Sequence, residues 1–121
     1  SIHQLGSYKV QGKDHNQSEQ IRKDALALQE AGAQMLVLEC IPSELAKLVT
    51  AELSIPVIGI GAGVDVDGQV LVLYDMLGMG EGKQPRFVKD FLEKTNSIEG
   101  AIAAYVEAVK SGRYPATEHS Y

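Results

Sequence analysis

Two short apolar runs, Met35-Leu36-Val37-Leu38 and Ile55-Pro56-Val57-Ile58-Gly59-Ile60, constrain this chain more than any other feature. A strand with one wet face alternates apolar and polar residues. A run without alternation suits a strand covered on both faces, the habit of parallel sheets. Between the two runs, Ser43 opens a segment with Leu45, Leu48 and Val49 at helical spacing. A helix there is the crossover that a parallel pair requires. Val70-Leu71-Val72-Leu73-Tyr74 reads as a third strand.

The flanks extend the same alternation. Residues 1–15 carry glycines and polar groups without periodicity and read as a loop. Asn16-Gln17-Ser18-Glu19 resembles a capping box with Asn16 as N-cap, followed by Ile21, Ala25 and Leu28 at helical spacing. Gly32 is placed to end that helix in a left-handed turn. Residues 78–82 form a loop, 86–94 and 98–110 two helical patterns, and 112–121 an irregular tail. In the second pattern Ile98, Ile102, Tyr105, Val106 and Val109 share one side.

The order implies α/β architecture with right-handed crossovers. Three strands alone leave two open edges, so the isolated chain is expected to be marginal or prone to aggregate. A complete eight-stranded barrel takes roughly 200 residues or more, and these 121, the length of one modest domain, could supply only part of one. The opening Ser1-Ile2-His3-Gln4-Leu5 lacks an initiator Met, a cap and a period, and reads as the interior of a longer chain, although removal of an initiator Met would also explain the missing residue.

Charge narrows the partners. Eleven basic and sixteen acidic residues give a net charge of -5, with no general attraction for phosphate backbones or anionic membranes. Neither a bilayer-length apolar run nor a signal-peptide pattern is present. The lone Cys40 excludes an internal disulfide and a cysteine-type zinc site, and suits a reducing compartment.

Glu39 is the most informative position. It follows an apolar run directly, at the C-terminal end of a strand, where α/β folds build their sites. Burial there would raise a carboxyl pKa toward the range of a general base, while the plain alternative is a solvated or ion-paired carboxylate. Cys40, the next residue, points to the other side and reads as a buried thiol. Gly59-Ile60-Gly61-Ala62-Gly63 lacks the spacing of a dinucleotide loop, and residues 78–83 lack that of a phosphate loop. His3, His15 and His119 show no metal-ligand spacing. Asp65, Asp67 and Asp75 either line a site or occupy solvated turns. Residues 8–12 form either a lid with a cationic handle, mobile over the site, or an ordinary loop.

Several segments in order resemble one family, ketopantoate hydroxymethyltransferase. They are Gly6-Ser7-Tyr8-Lys9-Val10-Gln11-Gly12, Asp24-Ala25-Leu26-Ala27-Leu28 with Ala31-Gly32-Ala33, and Leu36-Val37-Leu38-Glu39-Cys40-Ile41-Pro42. The run from Ile55 to Gly63, Asp67-Gly68-Gln69, and Ser111-Gly112-Arg113-Tyr114-Pro115 with Glu118-His119-Ser120 complete the match.

The resemblance implies the C-terminal part of a (β/α)8 TIM barrel, strands six to eight with their helices. It implies hydroxymethyl transfer from 5,10-methylenetetrahydrofolate to 3-methyl-2-oxobutanoate, giving ketopantoate for pantothenate. Glu39 falls on the family's general base. Magnesium would be held by Asp residues on earlier strands, outside these residues, so this segment alone is expected to be inactive. A cytoplasmic homo-oligomer, a decamer in the family, is also implied, with no nucleic-acid or membrane partner. The residues by themselves leave open a stand-alone binding module at Gly61-Ala62-Gly63 or a non-catalytic half-barrel.

Overall fold

The computed structural model describes residues 9–121. Helix α1 spans His15–Glu30, strand β1 Leu36–Glu39, helix α2 Ser43–Glu52, strand β2 Val57–Ile60 and strand β3 Gly68–Gln69. A short helix α3, Leu73–Met76, and a long helix α4, Ile98–Lys110, follow. The three strands are parallel in the order β1-β2-β3. The architecture is therefore the expected mixture of helices on a parallel sheet.

Helix α1 begins earlier than the capping-box reading placed it. Asp14 is the N-cap, its Oδ1 accepting the Gln17 N–H at 2.8 Å. Gln17 reaches back instead of Glu19, its Oε1 accepting the Gly12 N–H at 3.1 Å. Glu19 is drawn away to pair with Arg22 at 2.6 Å. At the other end Gly32 behaves as expected. Its φ of 105° lets its N–H reach the Gln29 carbonyl while the Ala33 N–H reaches that of Leu28.

One face of β1 and β2 is closed by α1 and α2. Leu38 and Val57 pack there with Ala25 of α1 and Leu45, Ala46 and Val49 of α2. Leu28 and Leu48, both expected in the core, are about half exposed because they lie off the stripes that face the sheet. The register pairs Val37 with Ile58 and Glu39 with Ile60 on the opposite face. That face is open: Val37 is 56% exposed. Burial on both faces, as the unbroken apolar run suggested, is not met by these residues themselves.

The third strand is displaced from its expected place. Ile58 pairs with Gly68 and Gly59 with Gln69, and the Val70 N–H still reaches the Gly59 carbonyl. Leu73 and Tyr74 then turn into α3, since a short apolar run does not distinguish strand from helix. No helix joins β2 to β3. Asp67 closes that link, its N–H donating to the Val57 carbonyl and its Oδ2 accepting the Val57 N–H at 2.8 Å. Asp67 is thereby a structural residue.

Residues 86–94 are turns, not the helix their spacing suggested. The Phe91 N–H goes to the Met76 carbonyl, and the Leu92 N–H to the Asp90 side chain. Phe87 and Phe91 are nonetheless buried, in a second core with Leu71, Met76, Ala101 and Tyr114. Tyr114 packs edge-on against Phe91, centroids 5.3 Å apart, and its hydroxyl donates to the Phe87 carbonyl. Helix α4 has the expected limits but turns Ala101 and Ala108 inward, leaving Ile98, Ile102 and Val106 exposed. The tail beyond it contains one 3-10 turn, Thr117–His119. Among the described residues no helix is long and apolar enough to cross a membrane.

Candidate active site

The C-terminal ends of β1 and β2 are built by a sharp turn. Glu39 is the last residue of β1, and Cys40 then takes a left-handed φ of 51°. Only glycine, and less often asparagine or aspartate, adopts that conformation readily. It persists here because hydrogen bonds from both sides hold the turn. The Cys40 and Ile41 N–H groups donate to the Ile60 and Gly61 carbonyls at 3.0 and 3.1 Å. The Gln11 N–H donates to the Cys40 carbonyl at 2.9 Å. The twist sends consecutive side chains apart. Cys40 is buried at the edge of the second core, while Glu39 is exposed on the open face.

The burial expected around Glu39 is therefore not supplied by the described residues. Burial pushes the Cys40 thiol pKa up, and the neighbouring Glu39 carboxylate adds to the effect. Such a thiol stays protonated, which fits packing and not nucleophilic chemistry.

The glycine run at the end of β2 lies beside this turn. A Cβ on Gly61 would stand 2.8 Å from the Phe87 ring, and one on Gly63 2.5 Å from the Ser43 Cβ. These glycines permit close packing of the strand ends. Gln69 fixes the same loop, donating to the Gly63 carbonyl at 2.8 Å.

The remaining candidates are scattered. Asp65 is exposed in the link after β2, and Asp75 sits on α3. His15 is the first residue of α1. His119 lies in the tail with its Nδ1 accepting the Ala116 N–H, and His3 lies outside the described residues. Tyr8 is likewise outside them, but Gln11 and Gly12 are anchored beside the strand end, Gly12 buried against Leu45 and Ile21. Among the described residues no three His, Cys, Asp or Glu side chains are grouped to hold a metal. They do not fit a magnesium site.

The tail escaped sequence reasoning. Tyr121 returns to the start of α2, where its carbonyl accepts from Ser43, and Arg86 donates to the Ser120 carbonyl at 3.0 Å. Its irregular composition gave no sign of this partner.

A parallel α/β fold with a carboxylate at a strand end defines a class of enzyme-like sites, open at the C-terminal edge of the sheet. Comparison with known proteins is more specific. The family pattern described as ketopantoate hydroxymethyltransferase matches residues 1–117, and the chain belongs to that family. It is 55% identical over 121 residues to the 3-methyl-2-oxobutanoate hydroxymethyltransferase 2 of Hahella chejuensis, covering all of this chain and 46% of that protein. It is 57% identical over 120 residues to the 3-methyl-2-oxobutanoate hydroxymethyltransferase of Nitrosomonas europaea, covering 99% of this chain and 45% of that protein. The chain thus spans about half the length of the curated relatives it matches and corresponds to their C-terminal part.

Proposed function

We propose that this chain is the base-bearing part of a (β/α)8 barrel enzyme that makes ketopantoate from 3-methyl-2-oxobutanoate, with 5,10-methylenetetrahydrofolate as one-carbon donor. The observation that carries the reading is the placement of Glu39. It ends β1 on the open face of the sheet, aligned with Ile60 and followed by a turn held by the Ile60 and Gly61 carbonyls and the Gln11 N–H. In a closed barrel that face is the interior, and its C-terminal end is the mouth.

The chemistry asks for such a group. The C3 hydrogen of a 2-oxo acid is acidified by the adjacent carbonyl, and a carboxylate within hydrogen-bond reach can remove it. Glu39 takes that proton, leaving an enolate. Water cleaves the two carbon–nitrogen bonds of the methylene-folate, and tetrahydrofolate leaves with its nitrogens protonated. The enolate carbon adds to the freed one-carbon unit at the formaldehyde level, whose oxygen takes back the proton held by Glu39 to become the new hydroxyl. Val37 and Ile58, on the same face, would line the mouth below Glu39 and keep bulk water from the enolate.

Magnesium, which the family resemblance brings with it, finds no ligand set among the described residues, and no step here runs through it. The single, buried Cys40 supports a reducing, cytoplasmic setting. The exposed Ile98, Ile102 and Val106 of α4 support assembly into a homo-oligomer.

The test uses the complete enzyme, this chain together with the segments its relatives carry. Glu39→Gln keeps size and hydrogen bonding but cannot accept the proton. Ketopantoate formation should fall by roughly 10²–10⁴-fold with KM for the 2-oxo acid little changed. Wild-type turnover by the variant would overturn the reading.

A further inference from the structure

Helix α2 begins four residues after Glu39, and its N-terminus has no local cap. Pro42 stands at the cap position and offers no side-chain acceptor. The first N–H groups of a helix need partners from elsewhere. The Ser43 N–H finds one far away in sequence, donating to the Tyr121 carbonyl at 3.0 Å, and the Ser43 hydroxyl donates to the same oxygen at 3.1 Å.

The tail that brings this carbonyl is itself held. Arg86 donates to the Ser120 carbonyl at 3.0 Å, and its guanidinium lies 5.0 Å from the centre of the Tyr121 ring. From the other side Gly63 presses on Ser43 so closely that a Cβ there would stand 2.5 Å from the Ser43 Cβ. Ser43 is thus clamped between the end of β2 and the tail. Residues 40–42 are the whole of the link from that clamp to Glu39.

We propose that the Ser120-Tyr121 segment is a long-range N-terminal cap for α2, and that Ser43 is a positioning residue which, through it, fixes the turn presenting Glu39. The proposal rests on Glu39 being the base. A main-chain oxygen is well suited to the task, because it accepts two donors and places negative charge at the positive end of the helix. Loss of the cap lets the start of α2 move, and the carboxylate four residues upstream loses its fixed approach to the substrate. Proton transfer is sensitive to such displacement, whereas binding of the 2-oxo acid is not set by this turn.

The experiment compares Ser43→Ala, Ser43→Thr and Ser43→Pro in the complete enzyme. Proline is tolerated at the first position of a helix, and Pro42 already has the extended conformation (φ -53°, ψ 136°) that a following proline requires. Ser43→Pro therefore removes both donors without breaking the helix. Two readouts are taken: kcat and KM for exchange of the C3 hydrogen of 3-methyl-2-oxobutanoate in heavy water, and backbone hydrogen exchange over residues 114–121.

Ser43→Pro should lower kcat by roughly 10-fold with KM within about twofold, and the tail should exchange faster. Ser43→Ala should lower kcat by roughly 3-fold, and Ser43→Thr should restore it. Faster tail exchange with wild-type kcat overturns the proposal, as does unchanged tail protection in Ser43→Pro. If Ser43→Pro does not fold, the Ala and Thr variants decide, and equal kcat in those two overturns it. Glu39→Gln is run alongside. Wild-type exchange there removes the reading of Glu39, whereas an inactive Glu39→Gln beside a fully active Ser43→Pro removes only the cap.

Discussion

The two faces of the β1–β2 pair carry similar residues and live in different surroundings. On one, Leu38 and Val57 are sealed beneath α1 and α2, with Val57 wholly inaccessible. On the other, Val37 is more than half exposed and shares the face with Glu39, the half-buried Ile58, and Ile60, which is partly buried against the second core. The first face is closed by segments adjacent in the chain, so local sequence is enough to complete it. The second carries Glu39, the proposed base, and its cover does not come from α1 or α2. Stability and chemistry are thus divided between the faces: substitutions on the first should act on folding, and those on the second on catalysis or on closure of the larger fold.

The largest stability effect is expected on the sealed face. Leu45→Ala should cost about 2–5 kcal/mol, because it removes a buried side chain from a packed stripe. Leu48→Ala, on the same helix but half exposed, should cost less than about 1 kcal/mol. Urea unfolding of the complete enzyme measures both, and equal losses would erase the contrast between stripes.

Val37→Ala sharpens the comparison from the open side. If barrel closure covers this face, the complete enzyme should lose about 1–3 kcal/mol, although Val37 is exposed among the residues described. A negligible loss would leave the face in solvent and contradict the barrel.

The smallest effect concerns the tail and pH. Burial lowers the His119 pKa, Glu118 acts against this and Lys89 adds to it. The ring packs on Tyr114, centroids 5.0 Å apart, and its Nδ1 accepts the Ala116 N–H only while unprotonated. A histidine depressed in the folded state binds fewer protons than in the unfolded chain. Its contribution is therefore present above its ordinary pKa and is lost as pH falls through the folded value. Protection of the Ala116 amide, corrected for intrinsic exchange, should drop between about pH 7 and about pH 5. Constant protection would show that this bond does not hold the tail.

What the sequence made legible follows the same division. The apolar runs of β1 and β2, the helix between them and the limits of α4 are local patterns, and each is found. Gly32 is found because a left-handed helix end has few alternatives to glycine. Residues 86–94 misled because Phe87, Val88, Phe91 and Leu92 mimic a helical face while the Phe91 amide is satisfied by Met76, fifteen positions earlier. The third strand was misplaced because its ladder runs through Gly68 and Gln69, which carry no apolar signal. The strand-end position of Glu39 was legible from its place after an apolar run. Its support was not: the Cys40 turn, the Gln11 contact and the Tyr121 cap all come from distant backbone groups, which leave no trace in residue type.

The most direct test isolates the proton step from the transfer step. The complete enzyme, wild type and Glu39→Gln, is incubated with 3-methyl-2-oxobutanoate in heavy water with magnesium and no folate, and deuterium entry at C3 is followed by NMR. Rates are normalised to folded protein. The account predicts exchange slower by roughly 10²–10⁴-fold in Glu39→Gln with unfolding unchanged. Exchange at the wild-type rate would contradict it and pass the role of base to another group.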